Sequence, residues 1–211
     1  MSKKSIAILT ILIAIILDQV IKIYIKTHFF LGEEVKVFDW FRIHFVENNG
    51  MAMGIEFGGN AGKLFLTLFR VVAVGAIVYW LIGNIKSKVH NAVIIGISLI
   101  FSGAVGNIID SIFYGVFFDH PTHSVAKLFP ETTDGKLFYG KVVDMFYFPI
   151  WEGNLPEWLP FVGGETFTFF QYIFNPADSY ITIGVALLFI FSKYAFPKEE
   201  KKESTTKTAE E

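Results

Sequence analysis

Apolar residues along the chain gather into long runs rather than into the narrow stripes of amphipathic helices. A bilayer core of roughly 30 Å needs about 20 mostly apolar helical residues. Four stretches meet or approach that need. Ile6 to Ile25 is interrupted only by Asp18 and Lys22, Leu64 to Ile82 only by Arg70, and Ala92 to Ile109 by no charge at all. Thr166 to Ser192 carries only Asp178 but is divided by Pro176. Proline suits the first turn of a helix and breaks an interior, so the fourth helix is expected to start there. The pattern predicts spans near 6–25, 64–82, 92–112 and 176–196. The fold class is thus an all-α membrane protein with four transmembrane helices and a small β element.

Two long connections, 27–63 and 113–175, separate these spans. In the first, Val35, Val37, Phe41, Ile43 and Phe45 alternate with Lys36, Arg42 and His44 around Asp39-Trp40. That period of two predicts a small, half-buried hairpin. The second, between Phe113 and Phe174, holds half of all the Phe, Trp and Tyr residues. Aromatic side chains favour headgroup level, so this loop is expected to lie on the membrane surface. The polar stretch 197–211 (PKEEKKESTTKTAEE) is expected to be a disordered tail. Residues 1–196 then form one membrane domain.

Composition supports this and closes other routes. The 211 residues are 53% hydrophobic and 18% charged, where soluble domains carry nearer a quarter charged. A formal net charge of −2, without clustered basic residues on a nucleic-acid motif, argues against a nucleic-acid partner. The chain has no cysteine, which removes disulfides, thiolate metal sites and thiol nucleophiles. Lys3-Lys4 before an apolar run mimics a secretory leader, but no Ala-x-Ala-like site follows, and an uncleaved first span is expected. Basic residues set orientation. Nine lie at or beside the amino terminus, the short 83–91 loop and the tail; seven, counting Lys26, lie in or just beside the two long connections. Both termini are therefore expected in the cytoplasm and both long loops outside.

Ionisable groups inside apolar spans are costly, so each needs a partner or a task. At 1.5 Å per residue, Asp18 lies about 18 Å from the cytoplasmic edge, and Asn107 and Asp110 lie about 22 to 27 Å from it. Asp178 opens the fourth helix at its outer end, and Asp144 sits in the apolar run Val142-Val143-Asp144-Met145-Phe146. All converge on the outer half of the bilayer. Structural roles compete for each group. Asp18 and Lys22 can neutralise one another at i,i+4. Asn107 and Asp110, beside Gly103 and Gly106, can cross-link close helices. Asn175-Pro176-Ala177-Asp178 reads as a helix cap. Asp144 has the weakest structural explanation, and Arg70 has no evident partner in sequence.

Asp119, His120 and His123 lack a clear fourth ligand, so no metal site is expected. No G-x-S-x-G, H-E-x-x-H or phosphate loop occurs. Two carboxylates held together are nonetheless a hydrolytic pair: close like charges share one proton, the ionised member draws a proton from water, and the other polarises the carbonyl. No cofactor is needed for that chemistry.

In order, Leu17-Asp18-Gln19-Val20-Ile21-Lys22, Asn48-Asn49-Gly50-Met51-Ala52-Met53, Gly106-Asn107-Ile108-Ile109-Asp110, Val142-Val143-Asp144 and Phe174-Asn175-Pro176-Ala177-Asp178 resemble the motifs of lipoprotein signal peptidase (signal peptidase II). The resemblance implies a bacterial inner-membrane aspartyl endopeptidase, with its active site facing the outer leaflet. It would cut diacylglyceryl-modified prolipoproteins just before the lipidated cysteine. It implies Asp144 and Asp178 as the catalytic pair. Asn48, Gly50, Asn107, Asp110, Asn175 and Ala177 would shape the site or hold substrate, and Asp18 and Lys22 would support it. It further implies binding of globomycin and contact with membrane lipids, and a monomer is expected. Ser111 stands where the family carries arginine, and Lys141 is the candidate replacement; Met53 and Met145 replace phenylalanines. The Asp110–Asp144 and Asp144–Asp178 intervals are longer than in relatives, with an extra segment near 120–139. Within the pair, the helix amino terminus favours an ionised Asp178, leaving the shared proton on Asp144. The rival expectations are a small proton- or solute-conducting membrane protein using these carboxylates, and a non-catalytic assembly subunit.

Overall fold

The computed structural model describes residues 1–49, 59–121 and 123–195. Among the described residues, three helices are long and apolar enough to cross a membrane: α1 (Lys3–His28), α2 (Gly59–Lys86) and α3 (Asn91–Phe117). A fourth, α4 (Pro176–Ile190), is apolar but shorter. The sequence places its end near 196, yet the regular helix stops at Ile190. Phe191 donates its N–H back to Leu187, and a short α5 (Ser192–Ala195) follows. Phe196 and the expected tail, 197–211, lie outside the described residues. The helices begin where their caps dictate. Ser2 accepts from the Ser5 N–H, His90 from the Ala92 N–H, and Asn175 from the Asp178 N–H.

The described residues form six strands: β1 (Glu34–Phe38), β2 (Phe41–Asn48), β3 (Val142–Tyr147), β4 (Trp151–Asn154), β5 (Thr166–Phe169) and β6 (Ile173–Phe174). β1, β2, β3 and β6 make one antiparallel sheet in the order β1-β2-β3-β6. The expected hairpin is therefore present as β1–β2, and the Val142 run joins it as a third strand. β4 and β5 form a separate hairpin that alternation had not revealed.

α3 lies between α1 and α4, and glycines set its distance from α4. A Cβ at Gly184 would lie 2.6 Å from the Gly96 carbonyl oxygen, and one at Gly103 would lie 2.2 Å from that of Ala177. In lipid such contacts are held by dispersion and close approach rather than by expulsion of water. One apolar cluster, with Ala7, Leu81, Val93, Ile94, Ile97 and Leu188, fills the end near the start of α1 and α3. A second, with Ile25, Phe45, Tyr114, Phe118, Val143 and Met145, joins the other helix ends to the sheet. The buried Asp18, Lys22, Asn107 and Asp110 lie between them along α1 and α3.

The extra segment near 120–139 is spent largely on the end of α3. Gly140 and Phe138 donate backbone N–H groups to the carbonyls of Ser111 and Ile112, Phe129 donates to Phe117, and Thr133 reaches Gly115 and Phe118. The last four carbonyls of a helix have no partner within it; Gly115 and Phe117 belong to that last turn and are met by this segment, while Ser111 and Ile112 accept one turn earlier.

Candidate active site

Two polar clusters share the middle of the molecule. The inner one is built on Lys22, whose side chain is fully buried. Its ammonium lies 3.1 Å from Asp18 Oδ2 and 2.8 Å from Asp110 Oδ2, and donates to Asn107 Oδ1 at 2.8 Å. Gln19 donates to Asp18 (3.0 Å) and Asp110 (3.1 Å) and accepts from the Tyr114 hydroxyl. Gly106 provides the room, since a Cβ there would lie 2.4 Å from Asp18 Oδ2. One ammonium between two carboxylates, with every neighbour hydrogen-bonded, is the arrangement in which buried charge is tolerated.

The network reaches outward through two bonds. Asp18 Oδ1 accepts the Ala177 N–H at 3.0 Å, which fixes the first turn of α4 to α1. The Val143 N–H points to Asp110 Oδ2 at 3.4 Å, which fixes β3 to α3. The elements carrying Asp178 and Asp144 are thus both tied to the Lys22 cluster.

The outer cluster is held by amides. Asn175, wholly buried, donates from Nδ2 to Asp144 Oδ1 at 2.6 Å and to Asn107 Oδ1 at 3.2 Å. Its Oδ1 accepts the Asp178 N–H at 3.1 Å, and its own N–H donates to Asp178 Oδ2 at 3.2 Å. This reciprocal pair is a capping box. Asn107 Nδ2 donates to Asp178 Oδ1 at 3.0 Å. A single residue, Asn175, therefore touches both carboxylates. Asn48, at the end of β2, also hydrogen-bonds Asp144. Asp144 is buried on β3, while Asp178 is half-exposed at the start of α4. The Asp144 carboxyl is pushed up to about 7, first by burial and then by the negative charge of Asp178; the bonds from Asn175 and Asn48 pull the other way.

A buried carboxyl of raised proton affinity beside a second, half-exposed carboxyl is a pair suited to acid–base hydrolysis. The family model described as Signal peptidase (SPase) II matches residues 10–194. The chain belongs to the signal peptidase II family. A lipoprotein signal peptidase of Porphyromonas gingivalis is 51% identical over 182 residues, covering 85% of this chain and 79% of that protein. One from Amoebophilus asiaticus is 33% identical over 204 residues, covering 94% and 82%. A solved bacterial membrane enzyme is 26% identical with a TM-score of 0.59, covering 92% of this chain and 93% of its own. Like the family, the chain is a multi-pass membrane protein and an aspartic peptidase.

Of the residues that the family motifs single out, Asp18, Lys22, Asn48, Asn107, Asp110, Asp144, Asn175, Ala177 and Asp178 meet in these two clusters. Gly50, Met51, Ala52 and Met53 lie outside the described residues. Lys141, the candidate replacement for the family arginine, pairs instead with Glu47: its part-exposed ammonium sits 3.4 Å from that carboxylate. Ser111 turns its hydroxyl back to the Asn107 carbonyl at 2.9 Å. The cation that the sequence left unassigned is Arg70. Asp178 and Asp144 are the carboxylates whose charges it feels. On the same face of α2, one and two turns earlier, Thr67 and Lys63 are buried, and Lys63 donates to the Tyr139 carbonyl and to Asn49. A lone arginine in an apolar span was the available signal; nothing local pointed to its partners.

Proposed function

We propose that the chain removes signal peptides from diacylglyceryl-modified prolipoproteins, cutting before the lipidated cysteine, with Asp144 and Asp178 as the catalytic pair. The observation that carries this reading is the Asn175 clasp, which holds one buried and one half-exposed carboxyl to a common side chain. Water between the two carboxyls attacks the scissile carbonyl carbon. The ionised Asp178 takes the water proton, and the protonated Asp144 gives its proton to the carbonyl oxygen, forming a neutral gem-diol. Collapse returns one hydroxyl proton to Asp144 as Asp178 protonates the leaving nitrogen, and the carbon–nitrogen bond breaks. Positioned proton transfer of this kind contributes about 10²–10⁴-fold. Arg70 supplies the positive charge that the family takes from the position of Ser111, and it limits the repulsion between the two acids.

The same reading assigns the surroundings. Residues 1–196 form one domain with four spans, α4 with α5 being the fourth. Both termini lie in the cytoplasm of a bacterium, and the site faces the outer leaflet of its inner membrane. The distribution of basic residues supports that direction. A substrate anchored by acyl chains at headgroup level then meets the carboxyls at its own depth. Asn48, Asn107 and Asn175 orient the dyad and the peptide, while Asp18, Lys22 and Asp110 hold the elements in place. The enzyme acts as a monomer, and globomycin occupies this site. Against a proton or solute path, the apolar cluster of Ala7, Val93, Ile94, Ile97 and Leu188 closes the other end of the helices.

The test is cleavage of a lipidated precursor in proteoliposomes. Wild type cleaves; Asp144→Asn and Asp178→Asn each lose cleavage while remaining folded. Turnover unaffected by either change refutes the assignment.

A further inference from the structure

β3 and β6 pair at Phe146–Phe174 and Tyr147–Ile173, and the chain between them closes as the β4–β5 hairpin. The hairpin is thus inserted between the strand that carries Asp144 and the helix that opens with Asp178. Its register sorts its side chains into two faces. Trp151 stands opposite Phe169, and Gly153 opposite Phe167; Glu152 stands opposite Thr168, and Asn154 opposite Thr166. Cross-strand partners share a face, so one face is Trp151, Gly153, Phe167 and Phe169 and the other is Glu152, Asn154, Thr166 and Thr168. The indole of Trp151 lies over Gly153, where a Cβ would come 2.8 Å from Cζ2, and it meets the Phe167 ring at 6.1 Å.

Only the polar face has a protein partner among these contacts. Arg42 of β2 reaches Glu152 at 2.6 Å while also pairing with Glu34. The aromatic face is open, with Trp151 50% and Phe169 54% exposed. The tip continues it. Backbone bonds Leu155–Glu165, Gly164–Leu155 and Gly163–Leu159 fold residues 155–165 into a compact turn. That turn presents Trp158 (79% exposed) and Phe161 (101% exposed). Phe161 is held at φ +71°, an unfavourable backbone for a bulky residue. Among the described residues, none covers the Phe161 side chain to repay that strain. An isolated two-stranded hairpin is marginal in water, so a hairpin with one aromatic face needs a cover.

We propose that the cover is the lipid surface: the β4–β5 hairpin lies in the headgroup region, with Trp151, Trp158, Phe161, Phe167 and Phe169 against acyl chains and the Glu152 face in water. Two observations single out lipid. The hairpin leads through Phe170 and Tyr172, both exposed, directly into apolar α4, so it sits where a membrane-embedded helix emerges. Tryptophan and tyrosine concentrate at that depth. From Ile150 to Phe174 the charges are Glu152, Glu157 and Glu165, with no lysine or arginine. The contact is therefore apolar rather than electrostatic, and a zwitterionic surface suffices. The inference concerns where the hairpin rests and does not require the dyad to be catalytic.

The absence of cysteine allows single-cysteine labelling of the full chain. Phe161→Cys, Phe169→Cys and, on the polar face, Thr166→Cys each carry a small fluorophore in phosphatidylcholine vesicles. Lipids bearing a nitroxide near the headgroup should quench the labels at 161 and 169 at least about twofold more than the label at 166, and aqueous iodide should show the reverse order. High salt should leave both patterns unchanged. Iodide quenching 161 and 169 as strongly as 166 overturns the proposal. So does shielding of 161 and 169 from both quenchers, which would mark a second copy or another protein as the cover. Precursor cleavage by the same variants reports separately on the peptidase reading.

Discussion

The Lys22 cluster and the Asn175 cluster contain the same kinds of group at adjoining places, yet they are built to opposite ends. Around Lys22, two carboxylates share one ammonium, all three fully buried, and Gln19 and Tyr114 complete the bonding. Around Asn175, two carboxyls are joined by neutral amides, and one of them reaches solvent. Charge that is locally compensated makes a rigid joint. Charge left partly uncompensated makes a group whose proton is available near neutral pH. The first cluster anchors, through Ala177 and Val143, the two elements on which the second depends.

The sharpest way to break this contrast is to neutralise one charged group of each cluster. Asp144→Asn or Asp178→Asn should lower the turnover number at least about 10³-fold, measured with a lipidated precursor. Lys22→Met should instead act on the fold, leaving Asp18 and Asp110 buried without their cation at a cost of about 3–5 kcal/mol. Thermal unfolding in detergent would read it. A Lys22→Met protein that unfolds no earlier than Asp144→Asn would contradict the division of labour.

A smaller effect separates the clusters by pH. The folded-state carboxyl of Asp144 lies above its ordinary value of 3.8, at about 7. Its contribution to stability is therefore complete below about pH 4 and is lost as pH rises through about 7. Asp144→Asn removes that loss. The variant should be more stable than wild type at pH 8, by on the order of 1–4 kcal/mol, with the gain vanishing towards pH 4. Cleavage by wild type should decline above about pH 7 as the acid loses its proton. The mildest test concerns Arg70. Arg70→Gln should reduce kcat/KM by about 10-fold and move the alkaline limb upward, because removing a nearby positive charge makes Asp144 harder to ionise. Arg70→Lys should retain most of both, whereas a purely structural role would leave the limb in place.

Much of this was legible in the chain because the signals are local. Asn-Pro-Ala-Asp announces a capped helix start from four consecutive residues, and α4 begins there with both cap bonds formed. Alternation around Asp39-Trp40 announces β1 and β2. What stayed hidden depends on contacts between distant segments. The i,i+4 pair Asp18–Lys22 was visible, but Asp110 as the second acid on the same ammonium was not. Arg70 showed only as an oddity in an apolar run. The β4–β5 hairpin escaped because its strands are four residues each and its aromatic content resembled a membrane-surface loop. The segment near 120–139 carries no motif; its work is done by backbone N–H groups that close the end of α3.

Asn175 has a consequence for how the molecule can change over generations. Its carboxamide starts a helix with one end and grips an acid of the sheet with the other. A variant at this position cannot loosen the helix start without also letting the two acids drift, nor respace the acids without fraying the helix. Mechanical integrity and chemical alignment are thus one inherited trait here, open to joint refinement but closed to separate adjustment.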